Sequence, residues 1–435
     1  MQSALALLDR TERWPPAELQ RQQLLRLDRL IAHARSTVPL YRDRLGGQSG
    51  GSLTMARLRE LPILSRSDLL EAGDRLMSTS PPAGHAVVRE VHSSGSTGRP
   101  VAARIDAASA AIAQVLSLRD HLWHRRDLSA KAAGIRAIVE GAAAPHGRHD
   151  PCWSLAPDSG PLSLLDAHTP IRQQLEWLAR EAPAYLATYA SNAAALVDEA
   201  DRSGVSVPSL RELATFGEVL PQGLRAAARR VWNVAVVDSY STVELGYVAL
   251  QCPESERYHV QGESVLVEVL RDDGEPCGPG ETGRVVATAL HAFAMPLIRY
   301  EVGDFAVTGG PCACGRTLPV IERIAGRARN MMVLASGDVL WPRYGSHVLG
   351  EIFGLRQFRL VQTAVDKLRL EIVRPDPLPS AEDARVRQMV LDTLGHPFSL
   401  ELAYVDAIPR SPGGKFEDFV CLVDRGAVPG RSPAT

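Results

Sequence analysis

The residues with the most chemical content in this chain are small, polar and clustered. Ser93, Ser94, Gly95, Ser96, Thr97 and Gly98 run consecutively within "VHSSGSTGRPVAARI". Backbone N–H groups of a glycine-rich turn, backed by hydroxyls, can wrap the oxygens of a polyphosphate. The stretch lacks the G-x-x-x-x-G-K-[ST] spacing of a P-loop. Taken alone, it reads equally well as a Ser/Gly linker. Far along the chain, Lys415 follows Gly413 and Gly414 in "PRSPGGK". A compact ammonium on a flexible stem suits contact with anions, and an exposed lysine after a turn is the plainer alternative. Cys252 and His259 stand at C-x6-H spacing, and Cys312 and Cys314 at C-x-C. Three thiolates and one imidazole suit a tetrahedral structural Zn2+ site, with free buried thiols as the alternative.

These groups need elements to hold them. From Val87 onward, strand-like and helix-like segments alternate: "VAARI", "ASAAIAQVLSLRDHLW", "AAGIRAIVE", then "ELATFG", "PQGLRAAARRVW" and "VAVVDSYS". That order predicts an α/β architecture with a mostly parallel sheet. From about Val265, β-rich runs joined by "RDDG" and "PGETG" turns predict antiparallel hairpins or a small barrel. After Gly326, the strand "LRLEIV" and the helix "SAEDARVRQMVLDTLG" give a third texture, ending in a Gly/Pro-rich tail expected to be disordered. The first 75 or so residues predict helices with charged faces, with "VPLYRDRLGGQSGGS" as a surface excursion.

At 435 residues the chain exceeds one ordinary domain. A net charge of −2 gives nucleic acid and anionic membranes no purchase. No apolar run approaches the ~18 residues that span a bilayer. The opening "MQSALALLDRTERW" has no cleavage-site pattern, so a cytoplasmic location is expected. Six cysteines in this length do not make a disulfide framework.

The loop "SSGSTGRP" resembles the [ST]-S-G-[ST]-T-G-x-P signature of the adenylate-forming superfamily, which includes acyl-CoA synthetases, luciferases and adenylation domains. "DSYSTVELG" resembles its Y-G-x-[ST]-E motif, "RYEVGD" its Y-R-x-G-D motif, "GRARNMM" its G-R-x-x-D hinge and "PRSPGGK" its P-R-[ST]-x-x-G-K motif, all in the superfamily's order. "VPLYRDRL", "LPILSRSDL", "LRELATFGEVLP", "PLIRY" and "CACGRTLP" are similar to the phenylacetate–CoA ligase branch.

The resemblance implies a large N-terminal adenylate-forming domain (1–326) with a β-barrel-like portion. A small mobile α+β domain (327–425) carrying Lys415 follows, and then a tail (426–435). It implies that ATP and a small, often aromatic, carboxylic acid give an acyl-adenylate, whose acyl group passes to a thiol, typically that of CoA. Ser93 to Gly98 would hold the β- and γ-phosphates, and Tyr240, beside Ser241, would lie against adenine. Asp304 would bind the ribose hydroxyls, Arg327 the nucleotide, and Glu244 Mg2+. Lys415 would reach the substrate carboxylate and the α-phosphate. The relatives' matching Cys-x6-His and Cys-x-Cys favour Zn2+ at Cys252, His259, Cys312 and Cys314. "ATYASN" and "FGEVLP" would contribute to the acyl pocket, whereas Trp153, Trp232 and Trp341 are expected in the core. His92 could equally contact substrate or cap its strand.

Several positions depart from the motifs: Ser241 replaces glycine, Val243 a hydroxylated residue, Glu301 an arginine and Asn330 an aspartate. Two alternatives therefore stand beside the CoA ligase. One is an adenylating enzyme that serves an acyl carrier protein or an amine, and the other a non-catalytic nucleotide-binding protein. A homodimer is a further expectation.

Overall fold

The computed structural model describes residues 2–45, 53–92, 101–137, 139–156, 158–327, 330–340, 342, 344, 349–350, 353–355, 357–411 and 414–423. The Ser93–Gly98 loop, Arg329, Trp341, Gly413 and the 426–435 tail lie outside them.

Five helices open the chain: α1 (Gln2–Thr11), α2 (Pro16–Thr37), α3 (Pro39–Leu45), α4 (Met55–Glu60) and α5 (Arg66–Ala72). Helix α2 begins on a proline, tolerated there because the first N–H groups have no intrahelical partner. It buries Leu19, Gln23, Leu27, Leu30, Ile31 and Ala34, a single face at three- and four-residue spacing. Of the surface excursion expected over "VPLYRDRLGGQSGGS", residues 39–45 form a helix instead, and residues 46–52 lie outside the described residues. Pro39 starts α3 instead of breaking the chain, and Leu40, Tyr41 and Leu45 are buried. The Tyr41 hydroxyl donates to the Pro296 carbonyl (3.1 Å) and accepts from the Ile298 N–H (2.9 Å).

The hairpin β1 (Val87–His92) and β2 (Ala102–Asp106) brackets the Ser/Gly loop. Asp106 then caps α6 (Ala107–Trp123) by accepting from the Ser109 N–H. The main sheet follows: β3 (Ala132–Arg136), β4 (Arg148–Asp150), β5 (Leu162–Asp166), α7 (Ile171–Glu181), β6 (Tyr185–Tyr189), α8 (Ala190–Ser203), β7 (Glu212–Phe216), α9 (Leu224–Trp232) and β8 (Ala235–Thr242). Antiparallel strands extend it: β9 (Gly246–Gln251), β10 (Tyr258–Val260), β11 (Val265–Leu270), β12 (Thr282–Ala289), β13 (Tyr300–Thr308) and β14 (Val320–Arg327). Together they form a 12-stranded sheet in the order β11-β12-β13-β14-β10-β9-β8-β7-β6-β3-β5-β4.

Strands β5, β3, β6, β7 and β8 pair in parallel, as the alternating pattern predicts. Their helices close a core around Ile135, Leu165, Trp177, Leu186, Leu196 and Trp232. The N-terminal helices pack instead toward the antiparallel half, through Leu266, Leu297 and Tyr300.

The last unit comprises β15 (Met332–Val333), β16 (Val339–Leu340), β17 (Phe358–Ala364), β18 (Lys367–Val373), α10 (Ser380–Leu394), β19 (Ser399–Val405) and β20 (Phe419–Cys421). Its four-stranded sheet, β19-β18-β17-β20, encloses a core of its own with Leu360, Leu370, Val386, Val390 and Phe419. Helix α10 starts with Glu382 and Asp383 in its first turn and stops at left-handed Gly395, both favourable placements. Among the described residues, no helix is long and apolar enough to cross a membrane.

Candidate active site and metal centre

The parallel strands β3, β5, β6, β7 and β8 all end at one edge of the sheet. Ala137 and Ala167 follow β3 and β5, Tyr189 ends β6, Gly217 and Glu218 follow β7, and Glu244 follows β8. In open α/β sheets this carboxyl edge is where ligands bind, because loops diverge there and leave a crevice.

The loop after β19 docks on that edge. Lys415 Nζ donates to the Gly217 carbonyl at 2.7 Å, across 198 residues of sequence. The Phe416 N–H donates to Glu218 Oε1 at 3.0 Å, and the Ser191 N–H to Glu218 Oε2 at 2.7 Å. Gly217 has φ +76°, a left-handed turn that glycine adopts without penalty. Gly414 has φ +73°, and a Cβ there would lie 2.9 Å from Ala137 Cβ and 3.2 Å from the Tyr189 ring. Tyr189 itself packs on Phe216, with ring centroids 5.2 Å apart. Burial raises the pKa of Glu218, with Lys415 and the two N–H donors acting in the opposite direction.

A second cluster lies across β8, β13 and β14. Asp304 and Arg327 are cross-strand partners, with Arg327 Nε 3.1 Å from Asp304 Oδ1. The Tyr240 hydroxyl donates to Asp304 Oδ2 at 2.9 Å. Tyr240 is buried, which holds its pKa well above the usual range and keeps it a neutral donor. A carboxylate offers about four acceptor sites, so Asp304 keeps capacity for two more donors. The Glu244 charge acts on Tyr240, Tyr300 and Arg327, which places it in the same group. Arg323 is exposed on the same strand as Arg327, so pairing with Asp304 distinguishes the two arginines.

Two of the departures from the motifs, Ser241 and Glu301, have local partners. Ser241 pairs with Tyr247 across β8–β9, and Thr242 Oγ1 accepts from the Leu245 N–H. Val243 is exposed, and Glu301 lies 3.5 Å from Arg284. His92 is exposed, with Glu90 3.2 Å away.

Cys252, His259, Cys312 and Cys314 meet with their ligand atoms within 4.8 Å of one another. Cys252 Sγ is 3.8 Å from Cys312 Sγ, and Cys314 Sγ is 3.3 Å from His259 Nε2. Burial pushes the His259 imidazole down to about 4, which leaves it neutral and able to ligate. Three thiols and one neutral imidazole in contact fit a closed tetrahedral Zn2+ site. A buried charge network adjoins it. Arg119 donates to Gln261 (2.8 Å) and Glu263 (2.8 Å), Arg316 pairs with Glu12 (3.1 Å), and the Arg316 guanidinium lies 4.4 Å over the Trp123 ring.

Some expectations shift. Thr188 and Asn192 of "ATYASN" face the interior: Asn192 donates to Gln174 and Thr188, and Thr188 to the Ile135 carbonyl. In "FGEVLP", Gly217 and Glu218 receive the lysine loop. Trp232 is core, but Trp153 lines a cavity of about 230 Å3 with Gln114, Ser117, His121 and Leu155. The docking roles of Gly217, Glu218 and Tyr189 have no signal in sequence, because each depends on a partner some 200 residues away.

No protein-family model matches the chain. It is 25% identical over 456 residues to the phenylacetate-coenzyme A ligase of Thermus thermophilus, covering 94% of this chain and 98% of the relative. It is 28% identical over 346 residues to the Escherichia coli phenylacetate-coenzyme A ligase, covering 76% of each. Among solved structures, 2-hydroxyisobutyryl-CoA ligase in its postadenylation state, with R3-HIB-AMP, superposes with a TM-score of 0.75 at 20% identity. The match covers 97% of this chain and 92% of that one. The same ligase in its thioesterification state, with 2-HIB-AMP and CoA, gives 0.62 at 21% identity over 95% and 91%.

Proposed function

We propose that this chain, a sequence relative of the phenylacetate–CoA ligases with the fold of adenylate-forming CoA ligases, activates a small carboxylic acid with ATP and transfers it to CoA. One observation carries the reading: Lys415, from the C-terminal unit, is delivered to the carboxyl edge of the parallel sheet, where Gly217 holds its ammonium at 2.7 Å. The first step joins two anions, a carboxylate and the α-phosphate, and expels pyrophosphate. Fixed positive charge where negative charge accumulates lowers that barrier most. Lys415 is 2.7 Å from a carbonyl it can release, so its stem can turn toward substrate while the loop stays docked. In the second step the CoA thiol attacks the acyl carbon and AMP leaves.

The other groups divide the nucleotide. The loop Ser93, Ser94, Gly95, Ser96, Thr97 and Gly98 would hold the β- and γ-phosphates. Asp304, oriented by Tyr240 and Arg327, would take the ribose hydroxyls through its remaining lone pairs. Buried Tyr240 supports the ribose site more directly than an adenine stack. Glu244 suits Mg2+, which commonly takes one or two carboxylates plus substrate phosphates and neutralises the charge of ATP. Cys252, His259, Cys312 and Cys314 would bind structural Zn2+, since four protein ligands leave no position for substrate. A boundary near residues 326 and 327 separates the two units of this scheme, and a cytoplasmic location would supply ATP and CoA.

The test is ATP–pyrophosphate exchange with a panel of aromatic and small aliphatic acids, followed by product analysis with and without CoA. Acid-dependent exchange and a CoA thioester are expected. Lys415→Ala should lower exchange by about 10²–10³-fold, the usual cost of one transition-state electrostatic contact. Exchange with no acid, or exchange unaffected by Lys415→Ala, refutes the reading.

A further inference from the structure

We propose that Glu218 is the positioning residue that anchors the Lys415 loop for adenylation, by bridging that loop to helix α8. The inference rests on the ligase reading above. Strand β7 ends at Phe216, and the next two residues engage the next two residues of the loop. Gly217 gives its carbonyl to Lys415 Nζ, and Glu218 gives Oε1 to the Phe416 N–H. Its other oxygen takes the Ser191 N–H in the first turn of α8. A carboxylate at a helix N-terminus is favoured by the positive end of the helix dipole. One side chain thus joins the large sheet's edge to the C-terminal unit.

Each oxygen has a separate task. The Ser191 bond lies within the large unit, so it orients Glu218 whether or not the loop is docked. The Phe416 bond exists only when the loop is docked. A bond to the main chain beside Lys415 fixes its Cα while leaving the long stem free to exchange Gly217 for substrate. Gly414, seated against Ala137 and Tyr189, restricts the same loop from the other side.

The test separates the half-reactions. Glu218→Ala and Glu218→Gln are assayed for acid-dependent pyrophosphate exchange, and for thioester formation from a synthetic acyl-adenylate plus CoA. Hydrogen exchange of the Phe416 amide is followed in the ligand-free protein. In Glu218→Ala, exchange activity should fall roughly 10- to 100-fold, the range of one hydrogen bond to a charged group. Thioester formation should stay within about twofold, and the Phe416 amide should exchange faster. Glutamine keeps one acceptor but turns an NH2 toward a donor, so it should fall between wild type and alanine. Adenylation within about twofold of wild type in Glu218→Ala, or equal losses in both half-reactions, overturns the proposal. If Glu218→Ala does not fold, the Gln variant decides by the same ratio of half-reactions. If wild type shows no exchange with any acid, the ligase reading fails. Phe416 protection then decides the docking claim, and protection unchanged by the substitution overturns it.

Discussion

Replacing Gly414 by alanine should separate the two half-reactions through sterics alone. Two costs fall on the docked loop. An L-residue at φ +73° pays the left-handed penalty, about 1–2 kcal/mol. The new methyl would sit 2.9 Å from Ala137 Cβ and 3.2 Å from Tyr189 Cε2. Ala137 Cβ is fixed to the main chain and cannot rotate away, so overpacking of about 1–3 kcal/mol is expected. An undocked loop can leave the left-handed region and the contact together, so both costs weigh against docking. Even the lower total, about 2 kcal/mol, lowers the docking equilibrium constant roughly 30-fold. Pyrophosphate exchange should fall by up to that factor, most where the docked state is sparsely populated, and thioester formation from a preformed acyl-adenylate should not. The double variant Ala137→Gly/Gly414→Ala removes the nearest overlap and leaves the dihedral cost, so it should recover part of the loss. Unchanged exchange together with unchanged Phe416 amide protection in Gly414→Ala, or no recovery of a loss in the double variant, would show that this loop does not dock here during adenylation.

Two further outcomes concern metal and pH. Elemental analysis of purified protein should find one zinc per chain, and Cys314→Ser should lose it and destabilise the protein by more than about 4 kcal/mol, as loss of a structural metal can. Metal-free wild-type protein of full stability would exclude the site. His121 has its pKa lowered to about 4, first by burial and then by Arg126, whose Nη1 lies 2.7 Å from His121 Nδ1. The folded state keeps this imidazole neutral while the unfolded state binds a proton near 6.5, so its contribution is present above 6.5 and lost as pH falls toward 4. That amounts to about 3 kcal/mol at ~1.4 kcal/mol per pKa unit. Denaturant midpoints at pH 7 and 4.5 should show a larger acid loss for wild type than for His121→Gln, and equal losses would refute the assignment.

Much of the site was legible because its chemistry is written in short runs. The alternation of "ELATFG", "PQGLRAAARRVW" and "VAVVDSYS" encodes β7, α9 and β8, since a change from period 2 to period 3.6 shows within a few residues. The Cys-x6-His and Cys-x-Cys pairs anticipate a cluster that the structure brings together. The lysine after two glycines was also visible. Local signals say less where the answer is tertiary. Pro39 suggested a loop, but it starts a helix that Pro296 and Ile298 hold through Tyr41. Thr188 and Asn192 sit at a strand-to-helix junction, where a single residue decides between crevice and interior.

Sequence by itself determined which residues are proposed to carry chemistry: the hydroxyl-rich loop, Asp304, Glu244, Lys415 and the thiols, each with its neighbours. Only the tertiary structure decided what they face. Strand order β5-β3-β6-β7-β8, all parallel, brings Ala137, Ala167, Tyr189 and Gly217 to one edge, and only there can Lys415 meet a carbonyl 198 residues earlier. Local patterns report which face of an element is buried. Which elements become neighbours follows from the packing of distant apolar surfaces, and no window of sequence contains both partners.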